Sequence, residues 1–304
     1  MIIITGTKRS GTSMWMQILI AAGFPPFGEA FPANWGETIR DANPSGFYES
    51  LLRQGIYWRT NPHPRTGAYF FPEQVTRHVV KVFIPGLVRS DRAYISKVVA
   101  TVREWREYES SLTRLYNMED QSRRERAPNS PDPVRFSPVL EWWSENFALV
   151  RDIAIRRFPV HVQSYDGLLS DPEAVIRKTL AWIGDPEIDA DKAVAAVEPR
   201  NRTQTRPTSD SIEPEFADLF DELYNTIHES KGLEHSFIRK LNEANQKLVP
   251  RIQAAQQAVQ ADQVARRQRR AAASKDGADA GAQAELGPGS EGGLPPGSMG
   301  WDGT

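Results

Sequence analysis

The sequence predicts an α/β protein: a three-layer fold in which helices cover both faces of a parallel sheet, followed by a largely disordered C-terminal tail. Three observations lead there. A short apolar run, Met1-Ile2-Ile3-Ile4, enters a glycine-bounded loop, and a stretch from Met14 to Ala22 then runs without a breaker. Further short runs rich in β-branched residues recur at 78–85, 97–102 and 160–165, with helical segments between them. Beyond about residue 250 large apolar side chains almost vanish.

In chain order, the opening run is a buried strand and the segment ending at Gly23 a helix. Residues 24–48 combine prolines, glycines and aromatics, which forbids a regular element over most of their length and predicts a loop. Residues 50–60 read as a helix and 61–73 as another loop. His78 to Pro85 and Lys97 to Val102 read as buried parallel strands. A polar run from Glu104 to Tyr116 follows as a helix, and the charge-dense segment Glu119–Arg135 as a surface loop or short lid. Leu140, Trp143, Phe147 and Val150 recur at helical spacing over 139–157 and mark a core face. After a strand at Val160–Tyr165, Asp171 and Pro172 open a helix that Gly184 closes. Helices over 187–197 and 214–229 complete a domain of residues 1–249, with 250–304 as a helical, then low-complexity tail.

The chain has 304 residues, of which 39% are hydrophobic, so it can bury a full core. A formal net charge of −2 gives no global argument for nucleic acid or an anionic membrane. The absence of cysteine removes disulfides and thiolate chemistry and fits a reducing compartment. No run is long enough for a signal peptide or a membrane span, so a cytoplasmic protein is expected, without membrane or nucleic-acid partners. The basic cluster Arg266–Arg270 reads as a solvated helix end. Oligomeric state is not encoded in any pattern.

The chemistry centres on Thr5-Gly6-Thr7-Lys8-Arg9-Ser10-Gly11-Thr12-Ser13. A loop between a strand and a helix gathers backbone N–H groups and the positive end of the helix dipole, which favours an anion there. Lys8 and Arg9 add cations; Ser10, Thr12 and Ser13 add hydroxyls. The spacing from Gly6 to Gly11 matches an ATP-type phosphate loop, but that motif continues with Lys and then Ser or Thr. Here Thr12 and Ser13 follow Gly11, and the cation precedes it.

That departure resembles the phosphosulfate loop of the sulfotransferases, which transfer a sulfuryl group from 3′-phosphoadenosine-5′-phosphosulfate (PAPS) and release adenosine 3′,5′-bisphosphate (PAP). The resemblance rests first on Arg9-Ser10-Gly11-Thr12-Ser13 and implies a fold like that of the P-loop NTPases. A second match is Arg103, ending a strand, with Ser111 eight residues later; in that family an Arg and a Ser so placed hold the donor's 3′-phosphate. Further on, Tyr165-Asp166-Gly167-Leu168 before Pro172-Glu173 is similar to a structural segment of the family, with Asp166 in place of the usual Glu. Arg200 to Arg206, including Arg202, is similar to the basic loop that closes over the 3′-phosphate. The likeness covers roughly residues 1–230.

From it follow the expected roles. Lys8, Arg9, Ser10, Gly11, Thr12, Ser13, Arg103, Ser111 and Arg202 bind the donor, no metal is needed, and Arg9 stabilises charge on the leaving phosphate. Lys81 corresponds to a family lysine, but Phe83 stands where cytosolic relatives carry a catalytic His. The acceptor's proton therefore needs another base. Glu29, twenty residues after Arg9, resembles the Gly-Glu of the tyrosylprotein enzymes; Glu49 is the alternative and His63 a more distant one. The acceptor is a small molecule, glycan or peptide bearing a hydroxyl or amine. Phe27, Phe31, Trp35, Phe47, Tyr48 and Trp58 either form an apolar wall for it or pack the loop onto the core. Two other classes stay open: a nucleotide kinase or hydrolase, which lacks its lysine after Gly11, and a binding protein that kept the fold without the chemistry.

Overall fold

The computed structural model describes residues 1–31, 44–128, 130–197 and 207–282, with side chains as far as Arg269. Ile2–Thr5 form β1, and every residue of that strand is buried. Continuous burial is what a parallel strand covered on both faces requires. Thr12–Ala21 follow as α1. Pro26–Phe27 make β2, a two-residue strand inside the segment expected to be a loop. It lies at the sheet's edge, where proline's missing N–H is tolerated. Residues 50–60 do not form the expected helix. Leu51–Gln54 make one 3₁₀ turn, which ends at Gly55 with φ of 112°.

Val79–Lys81 form β3, ended at Pro85 by the short helix α2, Ile84–Arg89. Lys97–Val102 form β4. Trp105–Arg126 then build α3, with Glu104 accepting from the Glu107 N–H at its start. This helix runs through residues 119–126, so most of the expected lid is helical. Arg123, Arg124 and Arg126 in its last turn complement the negative end of the dipole. Pro138–Arg156 form α4 and Val160–Ser164 form β5. Tyr165–Ser170 make α5; Pro172–Ile183 make α6, capped by Asp171 and closed by Gly184 at φ 68°. Ala190–Ala195, Pro214–His228 and His235–Ala282 are α7, α8 and α9.

The five strands are all parallel, in the order β2-β3-β1-β4-β5. Alternation along them divides the core. Ile2, Ile4 and Val99 meet Trp15, Ile18 and Leu19 of α1 and Ile176, Leu180 and Ile183 of α6. Ile3, Val80, Val98 and Ala100 meet Leu87 of α2 and Leu149 of α4 on the other face. Helices therefore cover both faces of the sheet. From β1 the chain crosses toward β2 on one side; from β4 it crosses toward β5 on the other. The connections part between the carboxyl ends of β1 and β4, where open α/β sheets form their ligand crevice.

A third packing centre sits on Phe220 of α8. Its ring stacks on Trp143 at 4.9 Å and meets Trp142 at 5.3 Å and Trp105 at 6.0 Å. The Trp142 indole donates to the Arg103 carbonyl at 2.8 Å, so this cluster fixes the end of β4.

Two compact units emerge. One comprises Met1–Ser130 and Ser137–Ile252; the other comprises Pro131–Phe136 and the chain from Gln253. Within the second, Arg266 donates to the Pro131 and Asp132 carbonyls and pairs with Asp262, so this member of the basic cluster is engaged in the fold. The expected disordered end, residues 283–304, lies outside the described residues. Among those described, no helix is long and apolar enough to cross a membrane.

Phe220→Ala should cost about 3–5 kcal/mol, the range for an aromatic removed from a core. Guanidinium unfolding would measure it, and a cost below about 1 kcal/mol would show that the cluster is not a packing centre.

Candidate functional site

The loop from Gly6 to Gly11 is held by the end of β4. Thr101 donates its hydroxyl to the Ser10 carbonyl at 2.9 Å, and Arg103 Nη1 donates to the Arg9 carbonyl at 3.1 Å. Ser10 Oγ donates to the Thr7 carbonyl at 2.7 Å. Peptide planes that turn the Thr7 and Ser10 carbonyls into the scaffold point the N–H groups of Lys8 and Gly11 the opposite way. Close approach makes glycine necessary at Gly6: a Cβ there would lie 2.4 Å from Ser10 Oγ and 2.5 Å from the Thr101 carbonyl. Gly11 has φ of 94°, and a Cβ would lie 2.6 Å from the Tyr165 ring. Arg9 itself is left-handed at φ 63°, an uncommon state for a branched-off cationic side chain.

Gly11 is also the N-cap of α1 and offers no side-chain cap, nor does an acidic residue occupy the first turn. The first N–H groups of α1 thus meet the loop at an uncapped positive helix end.

Charge gathers beside it. Arg9 Nε donates to Ser111 Oγ at 3.3 Å. Burial pushes the Arg9 pKa below its usual value, and the Arg103 and Arg114 guanidiniums push it further down against the opposing field of Tyr165. Arg103 lies over the Tyr165 ring at 5.0 Å and contacts the buried Glu107 at 3.4 Å. Arg9, Arg103 and Ser111, distant in sequence, therefore converge. Lys8 reaches the other way, to Glu141 Oε1 at 3.2 Å.

A second charged cluster lies at the start of α1. Lys81 Nζ contacts Glu49 Oε1 at 2.8 Å, the Phe47 carbonyl at 3.0 Å and Ser13 Oγ at 3.1 Å. Arg53 takes Glu49 Oε2 at 2.8 Å. Lys81 and Glu49 are both buried. Burial lowers the Lys81 pKa, Glu49 raises it, and Arg9 and Arg53 lower it again.

The remaining expected residues are placed differently. Glu29 is exposed; its main chain forms an antiparallel bridge with Glu49, so the two carboxylates considered for the base come from paired segments. Ser10 spends its hydroxyl on the turn, and Thr12 is buried. His63 Nδ1 accepts from the Arg65 and Thr66 N–H groups in its own loop. Phe31 packs edge-on against Phe47 at 6.3 Å, whereas Trp58 is 74% exposed beneath the Arg59 guanidinium. Arg202 and Trp35 lie outside the described residues. Among described residues, no cluster of His, Asp and Glu is arranged to hold a metal ion.

Sequence reasoning passed over Glu141 and Glu145, which sit one turn apart on α4. The only sequence signal was their i, i+4 spacing inside an aromatic core stripe.

No protein-family model matches the chain, and no curated protein matches it.

Removing one member of the buried pair strands the other. Glu49→Ala should destabilise the protein by about 3–5 kcal/mol, whereas the double change Glu49→Leu with Lys81→Met should restore most of that loss. Denaturant unfolding of the two variants reads both terms, and equal stabilities would dismiss a coupled pair.

Proposed function

We propose that the protein is a PAPS-dependent sulfotransferase of the P-loop-like type, transferring a sulfuryl group to a hydroxyl or amine and releasing PAP. One observation carries the reading. Arg9, half-buried beside an uncapped helix start, lies in the fields of Arg103 and Arg114 near the carboxyl ends of β1 and β4. A cluster of guanidiniums there favours a polyanionic ligand.

Arg103 and Ser111 suit the donor's 3′-phosphate: a guanidinium fork and a hydroxyl give a dianion defined geometry. The loop N–H groups and the start of α1 suit the 5′-phosphosulfate. Arg9 reaches Ser111 and belongs to the loop, so it bridges the two anionic ends. During transfer the bridging oxygen between sulfur and phosphorus gains charge as the S–O bond lengthens, and Arg9 stabilises that charge. Lys81, tied to Ser13 and Glu49, positions the first turn of α1. The order of residues after Gly11, Thr12-Ser13 without a lysine, disfavours the ATP-type alternative.

Calorimetric titration with PAP, against ATP plus Mg²⁺, tests this directly. PAP should bind more tightly, and Arg103→Ala should weaken it by about tenfold or more, the cost of one charge-assisted bond. Arg9→Ala should lower turnover by about 100-fold or more. Preference for ATP with metal would replace the reading with phosphoryl transfer.

A further inference from the structure

The reading above leaves the acceptor's proton without a destination. Glu49 has one carboxylate oxygen on Lys81 and the other on Arg53, each at 2.8 Å, so both are committed to cations. Glu29 is exposed. A different carboxylate, on α4 and in the field of the Lys8 side chain, is in another state. Glu145 is half-buried as a residue, yet its Oε2 is closed to solvent and has no hydrogen-bond partner among the described residues. A buried polar atom left unsatisfied is costly and calls for an explanation.

Its surroundings give one. Glu141 lies one turn earlier on α4, with Oε1 on Lys8 at 3.2 Å and Oε2 accepting from the Tyr116 hydroxyl at 3.4 Å. From α3 comes Tyr108, fully buried, whose hydroxyl also has no partner and lies in the fields of Glu141, Glu145 and Tyr116. Two orphaned polar groups therefore lie within each other's field between α3 and α4, and Lys8, paired with Glu141, links them to the phosphate loop.

We propose that Glu145 is the proton acceptor for the attacking hydroxyl in sulfuryl transfer, an inference that rests on the sulfotransferase reading. An anion on the loop competes with Glu141 for Lys8, and the released side chain uncovers the Glu145 carboxylate to the acceptor. The acceptor's O–H gives its proton to Glu145 Oε2 while its oxygen bonds to sulfur. The S–O bond to the 5′-phosphate breaks, and PAP leaves with that electron pair. Glu145 afterwards returns the proton to water. Tyr108 supplies a hydroxyl that holds the same oxygen or the incoming one.

Burial, and then Glu141, raise the Glu145 pKa to about 8, while Lys8 lowers it. The groups facing Glu145 are thus Lys8 from the loop, Glu141 from its own helix, itself bonded by Tyr116, and the Tyr108 phenol from α3. The active form is the carboxylate. Rate should therefore climb with pH up to about 8 and level off above it, and departure of Lys8 toward the donor moves that limb up, not down.

Two measurements on the full chain test it without a known acceptor. Carbon-13 carboxyl titration of the PAP complex should show a carboxyl titrating at about 8 or above, absent in Glu145→Gln. Sulfate release from PAPS, with water as acceptor, should rise over the same limb and fall about 100-fold or more in Glu145→Gln, at unchanged PAP affinity. A PAP complex with no carboxyl titrating above about pH 6.5, or equal sulfate release from variant and wild type, overturns the role of Glu145 alone. Failure of the wild type to bind PAP overturns the sulfotransferase reading and this proposal with it.

Discussion

The tie between the end of β4 and the loop after β1 is the constraint on which the site depends. Thr101 and Arg103 hold the Ser10 and Arg9 carbonyls, and Gly6 leaves room for them to do so. Without those bonds the loop's N–H groups have no reason to share a direction. With them, the direction of the loop's backbone is set by the fold itself. The tie is in turn anchored from behind. Trp142 bonds the Arg103 carbonyl, and the Phe220 cluster holds Trp142. A single chain of contacts therefore runs from an aromatic core to the face that meets solvent.

Two kinds of buried charge flank this loop, and they behave differently. Lys81 and Glu49 neutralise each other, so they make a rigid support whose removal one partner at a time is expensive. Arg9, half-buried, lies in the fields of Arg103 and Arg114, which together with desolvation push its pKa down against Tyr165. Sites that wait for an anion hold the second kind.

Much of this architecture was legible in the sequence because local pattern and burial agreed. Ile2–Thr5, Lys97–Val102 and Val160–Ser164 are short, β-branched and bounded by breakers or polar runs, and they are strands. Asp171, Pro172 and Gly184 mark their helix by cap chemistry. Legibility failed where tertiary context decided. Pro26–Phe27 became a strand only because β3 offered a neighbour. The charged run after Tyr116 continued as helix because Glu, Gln and Arg are good helix formers that bond at i, i+4, as Gln121 does to Glu125. In the site, the loop and Arg103 could be found by motif. The bridge between Glu29 and Glu49 could not, nor could the unsatisfied Oε2 of Glu145, which arises from how α3 and α4 face each other.

The two-residue length of β2 has a consequence for the molecule's behaviour in a crowd of its own copies. A parallel sheet ends in a row of unpaired amides and carbonyls, a template on which another chain can extend. Here that row is almost nothing: one of its two residues is proline, which cannot donate. The β2 edge is thus protected against intermolecular strand addition by brevity and by proline.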